Sequence, residues 1–178
     1  MGKFKLYIAQ SLDGYIARKD EGLDWLENFP HEEGADYGYG DFYEGIGVVL
    51  MGRKTYEFVR ESGADWPYAN CSCVVLTRNK DLKIFTTNTV LWDGVDKEKA
   101  EELRNSERKD IWVVGGGKVI SDFLSLNLID EILVTIIPIM IGEGIPLFGG
   151  HKGDSNWALR KVEPFSGGIL NIEYSLKS

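Results

Sequence analysis

The chain is poor in the residues that build metal centres and nucleophilic relays. Its 178 residues include 2 cysteines and 2 histidines. Cys71 and Cys73 stand two apart in a strand-like run, which puts both side chains on one face, and no second cysteine pair or nearby histidine completes a ligand set. They read as packing residues. His31 and His151 lie far apart with no nucleophile motif beside either, so a hydrolytic triad has no support. Long apolar runs are also missing. The opening MGKFKLYIAQSLDG interrupts its one short apolar segment with charges and a turn, unlike a signal peptide or a membrane span, so a cytoplasmic location without a membrane partner is expected. Positive charge is scarce, with 20 Lys and Arg against 28 Asp and Glu and a net charge of −8, which opposes binding to nucleic acid. Small molecules or another protein remain as partners. No internal repeat or low-complexity linker divides the chain, and its length suits a single domain over 1–178.

What the chain does have is a series of strands that end on glycines and cations. Ile111, Trp112, Val113 and Val114 form a short apolar strand, Gly115, Gly116 and Gly117 turn it, and Val119, Ile120, Phe123 and Leu124 recur at helical spacing. A helix beginning near Lys118 directs its free N–H groups at the glycines, where they attract an anion. A tight strand-to-helix turn with no ligand fits the same residues. The pattern recurs upstream: Val48 to Met51 is a strand, and Gly52, Arg53, Lys54 and Thr55 open the helix that carries Tyr56, Phe58 and Val59. Here too an anion site and an ordinary cap are both open.

Further strands are expected at Phe4 to Ile8, at Cys73 to Leu76 with Thr77, Arg78 and Asn79 at its exit, at Thr89 to Trp92 and at Glu131 to Ile137. Asp96 caps a charged helix that serves as scaffold. Thr135 is the one hydroxyl in an apolar strand centre, and it either bonds to neighbouring backbone or meets a polar ligand. The tail reads as a hairpin about Gly167-Gly168, with Ile169, Asn171, Glu173 and Ser175 on one face. The segment His31 to Gly45 is acidic, aromatic and glycine-broken, and its Asp36 and Asp41 fit either solvated surface charges or a carboxyl turned into a pocket. Strands alternating with helices and closed by antiparallel strands give an α/β fold, a mixed sheet flanked by helices.

Four pieces in this order, IAQSLDGYIA, VLMGRKTYE, VVLTRN and WVVGGGKVI, resemble the dihydrofolate reductase superfamily, including the reductase domain of the riboflavin-synthesis deaminase/reductases. The resemblance covers nearly the whole chain. It implies a three-layer α/β/α sandwich with a mostly parallel sheet and antiparallel C-terminal edge strands, and an NADPH-dependent reductase of a pterin- or pyrimidine-like heterocycle. By motif position it assigns Ala9 and Ile16 to the nicotinamide and makes Ser11 to Ala17 a mobile lid. Gly52, Arg53, Lys54 and Thr55 would take the pyrophosphate and adenosine end, and Thr77 and Arg78 the 2′-phosphate. Gly115, Gly116, Gly117, Lys118 and Val119 would line the pyrophosphate and ribose, with a cis peptide between the first two glycines. Thr135 would contact the substrate, and Asp36 would be the proton donor, with Asp41 in reserve. Neither VLMGRKT nor VVLTRN sets an acidic residue beside the arginines, which favours NADPH over NADH. The riboflavin-pathway enzymes usually carry an acidic residue just before the glycine pair, where this chain has Val114. A nucleotide-binding module without catalysis is the competing class, and a homodimer is the oligomer the resemblance suggests.

Overall fold

The computed structural model describes residues 1–63 and 65–177. Its central sheet contains β1 (Phe4–Ser11), β3 (Ile46–Gly52), β4 (Ser72–Leu76), β5 (Thr89–Trp92), β6 (Asp110–Gly115), β7 (Glu131–Ile137), β9 (Trp157–Pro164) and β10 (Leu170–Leu176). Their order across the sheet is β5-β4-β3-β6-β1-β7-β10-β9. From β5 to β7 every neighbouring pair is parallel, and β10 and β9 close the edge antiparallel. The mixed sheet with antiparallel C-terminal strands is therefore as expected. The first strand of the chain lies in the middle, between β6 and β7.

Apolar periodicity explains why the sheet is covered on both faces. In β3 Val48 and Leu50 face one way and Val49 and Met51 the other, all of them buried. On the first face α4 (Lys97–Ser106) and α5 (Gly117–Ser125) bring Ala100, Val119, Ile120 and Phe123 onto Phe4, Leu6, Leu50 and Val113. On the second, α2 (Tyr39–Glu44) and α3 (Arg53–Glu61) bring Phe42, Tyr43 and Tyr56 onto Val49, Met51, Val75 and Trp112. The result is a three-layer α/β/α sandwich. Cys71 and Cys73 are buried in the second face as free thiols, consistent with packing, and burial pushes the Cys73 thiol up to about 12. Asp96 caps α4 by accepting the Lys99 N–H at 3.0 Å. Among the described residues no helix is long and apolar enough to cross a membrane.

The segment expected as a mobile lid pairs with a second loop. β2 (Tyr15–Ala17) pairs antiparallel with β8 (Ile145–Pro146), a contact between parts of the chain too remote for periodicity to reveal. The Asp13 carboxylate accepts the Ser11 hydroxyl at 2.6 Å and the backbone N–H groups of Ile141 and Gly142 at 3.2 and 2.7 Å. These bonds hold its pKa below the usual aspartate range.

Candidate functional site

Because β4, β3, β6, β1 and β7 run parallel, their C-terminal ends meet at one edge of the sheet, where open α/β sheets bind ligands. There β3 leads into α3 and its neighbour β6 into α5. The N-caps are Gly52 and Gly116, neither helix has a side-chain cap, and neither carries an acidic residue in its first turn. Two adjacent sets of free N–H groups result, each worth roughly 0.3–1 kcal/mol toward an anion. The two turns interlock. A Cβ on Gly52 would lie 3.3 Å from Val119 Cγ2 and 3.9 Å from both Gly115 O and Gly116 N, and one on Gly116 would lie 3.6 Å from Thr55 Oγ1. Gly115 has φ 134°, which only glycine adopts freely, and the Gly115-Gly116 peptide is cis as the resemblance implied. A Cβ on Gly117 would meet Ile145 Cγ2 at 3.0 Å and Ile16 Cδ1 at 3.7 Å, so β2 and β8 border the same turn.

The structure thus brings Ile16, Gly52, Thr55, Gly115, Gly116, Gly117 and Val119 together. The cations stand around them. Arg53 pairs with Glu57 at 2.7 Å, Lys54 with Glu21, and Lys118 with Asp122 at 3.0 Å. Such exposed pairs contribute about 0–1 kcal/mol and exchange readily for a phosphate. Arg78 is exposed after β4 with no carboxylate partner among the described residues, and Thr77 Oγ1 accepts the Asn79 N–H at 3.0 Å. Four glycines without side chains, two uncapped helix starts and four cations form a cradle that fits a dinucleotide pyrophosphate.

Beside this cradle, at the ends of β1 and β7, lies a cavity of about 640 Å³. Tyr7, Ala9, Trp112, Thr135 and Ile137 line its inner part, and His31, Glu32 and Glu33 its rim. Ala9 and Thr135 are register partners, which accounts for their meeting here. The Thr135 hydroxyl donates to Asn171 Oδ1 at 2.7 Å and not to neighbouring backbone, and the residue lines the cavity. Asn171 Nδ2 in turn donates to the Tyr37 carbonyl at 2.7 Å, and the Tyr7 hydroxyl donates to the same carbonyl at 3.3 Å. Tyr37 has φ 53°, a left-handed conformation that its two donors help to hold. Burial pushes the Tyr7 phenol above its usual range, so it stays neutral and keeps its proton.

Asp36 is placed differently from a buried proton donor. It is exposed, lies outside the cavity lining, and accepts the N–H groups of Gly38 and Gly40 at 3.0 Å each. Those two bonds hold its carboxyl below the usual aspartate range, the wrong direction for an acid at neutral pH. Asp41 sits at the start of α2 and lines a separate, charged hollow with Lys5, Lys161 and Glu163. Sequence reasoning missed Tyr7, Tyr37 and Asn171. Tyr7 was within reach, because it stands two before Ala9 on the same face of β1. Tyr37 sits in an irregular segment with no periodicity to follow.

The family model of the RibD C-terminal domain matches residues 3–171. Over 172 residues the chain is 36% identical to the uncharacterized protein YwjB of Bacillus subtilis (strain 168), covering 97% of each. The crystal structure of a putative riboflavin biosynthesis protein from Shewanella sp. PV-4 matches with a TM-score of 0.87 at 31% identity, covering 99% of both chains. A dihydrofolate reductase from Enterococcus faecalis, complexed with NADP(H) and RAB-propyl, shares the fold with a TM-score of 0.68 at 16% identity over 99% of this chain and 98% of that one. Matched across nearly its whole length, this chain belongs to the RibD C-terminal domain family.

Proposed function

We propose that this protein is an NADPH-dependent reductase that acts on a pterin- or pyrimidine-like heterocycle. The observation that carries the reading is the juxtaposition of the paired, glycine-led helix starts of α3 and α5 with an apolar cavity at the neighbouring strand ends. A long ligand laid along this edge meets anion donors at β3 and β6 and an aromatic-walled pocket at β1 and β7. NADPH, when bound, supplies the hydride. Gly52, Thr55, Gly115, Gly116 and Gly117 let its pyrophosphate approach the backbone, Arg53, Lys54 and Lys118 balance its charge, and Arg78 with Thr77 takes the 2′-phosphate. Ala9 and Ile16 border the end nearer the cavity, where Thr135 and Tyr7 orient the heterocycle. The NADP(H) complex of the Enterococcus enzyme, which has the same fold, supports this choice of cofactor.

The carboxyl groups of the lining, Glu32 and Glu33, are exposed, and we assign the proton that completes the reduction to water. The same observation favours a second reading, a dinucleotide-binding module that does not turn over. Consumption of NADPH in the presence of pterins and aminopyrimidines separates the two. The cofactor assignment is tested by tryptophan quenching with NADPH and NADH. Arg78→Gln is expected to weaken NADPH about tenfold and leave NADH unchanged. Failure of wild type to bind either dinucleotide removes the reductase reading.

A further inference from the structure

The cavity has a charge pattern that selects among heterocycles. Its inner wall is neutral, and the acidic residues on its rim, Glu32 and Glu33, face no lysine or arginine in the lining. Glu32 is held in place, because its carboxylate accepts the Ser166 hydroxyl at 2.6 Å across the turn that joins β9 to β10. That turn packs on the rim segment: a Cβ on Gly167 would lie 3.6 Å from Pro30 O. The four cations of the strand-end edge, Arg53, Lys54, Arg78 and Lys118, lie around the glycine turns and not in this lining. The inner wall also offers lone pairs. Thr135 gives its proton to Asn171 and keeps its acceptor sites for a ligand.

We infer that the substrate is an amino-substituted heterocycle, uncharged or cationic, without a phosphate or carboxylate tail. The inference rests on the reductase reading for its choice of heterocycle and deepens it by naming the substrate class. A phosphoribosyl group or a glutamate tail leaving the cavity passes Glu32 and Glu33 within a Debye length of roughly 8 Å, where like charges repel. Ring amino groups meet acceptors at Thr135 and, at the rim, two carboxylates.

The test is equilibrium binding of a matched pair, pterin and pterin-6-carboxylate, to the intact protein by ligand fluorescence at low and high salt. Wild type is expected to bind pterin about tenfold more tightly than the carboxylate, with a gap that narrows in salt. Glu32→Gln combined with Glu33→Gln should bring the two ligands to within about threefold, and glutamine at 32 can still accept from Ser166. His31→Gln controls for the rim imidazole and should leave the gap in place. Carboxylate binding equal to or tighter than pterin overturns the inference. So does a gap that survives in the double variant, or failure of both ligands to bind at millimolar concentration. Binding requires no hydride transfer, so a bound pterin without NADPH consumption counts against the reductase reading alone.

Discussion

Replacing Asn171 with leucine should unfold this protein at markedly lower denaturant, and the reason is local. Asn171 is 4% exposed and joins three separate parts of the chain: β10, which carries it, β7 through Thr135, and the irregular segment before α2 through the Tyr37 carbonyl. Leucine matches its size but neither accepts nor donates. The Thr135 hydroxyl, 5% exposed, then has a proton with no acceptor, while Tyr37 O retains only the 3.3 Å bond from Tyr7. An orphaned buried hydroxyl costs about 1–3 kcal/mol and the lost amide bond about 1, partly offset by the added apolar burial, so a net loss of about 2–4 kcal/mol is expected. For a chain of this size that lowers Tm by about 5–15 °C.

The partner substitution sharpens the test. Thr135→Val leaves Asn171 Oδ1 unpaired and should cost about 1–3 kcal/mol, yet the double variant should cost less than the sum by about 1–2 kcal/mol, because both members of the pair are then apolar. Urea denaturation of the four proteins, followed by far-UV circular dichroism, measures every corner of this cycle. Additive single variants, or a loss for Asn171→Leu below about 0.5 kcal/mol, would refute the linkage between sheet and rim. Thr135→Val should also weaken pterin binding about tenfold, since it removes the lone pairs that face the cavity.

Two further outcomes follow from the charges. Asp36→Asn should leave turnover at neutral pH within about twofold, and a loss of the 10² to 10⁴ typical of a general acid, measured as NADPH consumption, would restore Asp36 as the donor. Burial works to raise the Glu131 carboxyl, but hydrogen bonds from Lys3 and Lys5 outweigh it and hold the carboxyl below the ordinary glutamate range. A depressed folded value means that its stabilisation is full above the unfolded value and lost as pH falls through the folded one. Urea midpoints of wild type and Glu131→Gln should therefore differ at neutral pH and converge below about pH 4.

Local rules reached the parts of this molecule that are local. β5, β7, α4 and the two glycine turns follow from apolar periodicity and from residues adjacent in sequence, and the structure has them where that periodicity put them. The convergence of Gly52 with Gly115 and Gly116 follows once β3 and β6 are neighbours, but their adjacency is a choice of strand order that no stretch of either strand encodes. Asn171 shows the limit more sharply. Alternation in the tail placed it on one face with Glu173 and Ser175, but the partner it needed lies 36 residues back on β7, and its second partner is a carbonyl 134 residues away. Asp36 went astray for the opposite reason. Its side chain satisfied two backbone N–H groups within four residues, a short-range bond that glycines at 38 and 40 invite. A carboxylate so occupied has no free-energy reason to enter an apolar cavity, and the same glycines that obscured its helix determined where it points.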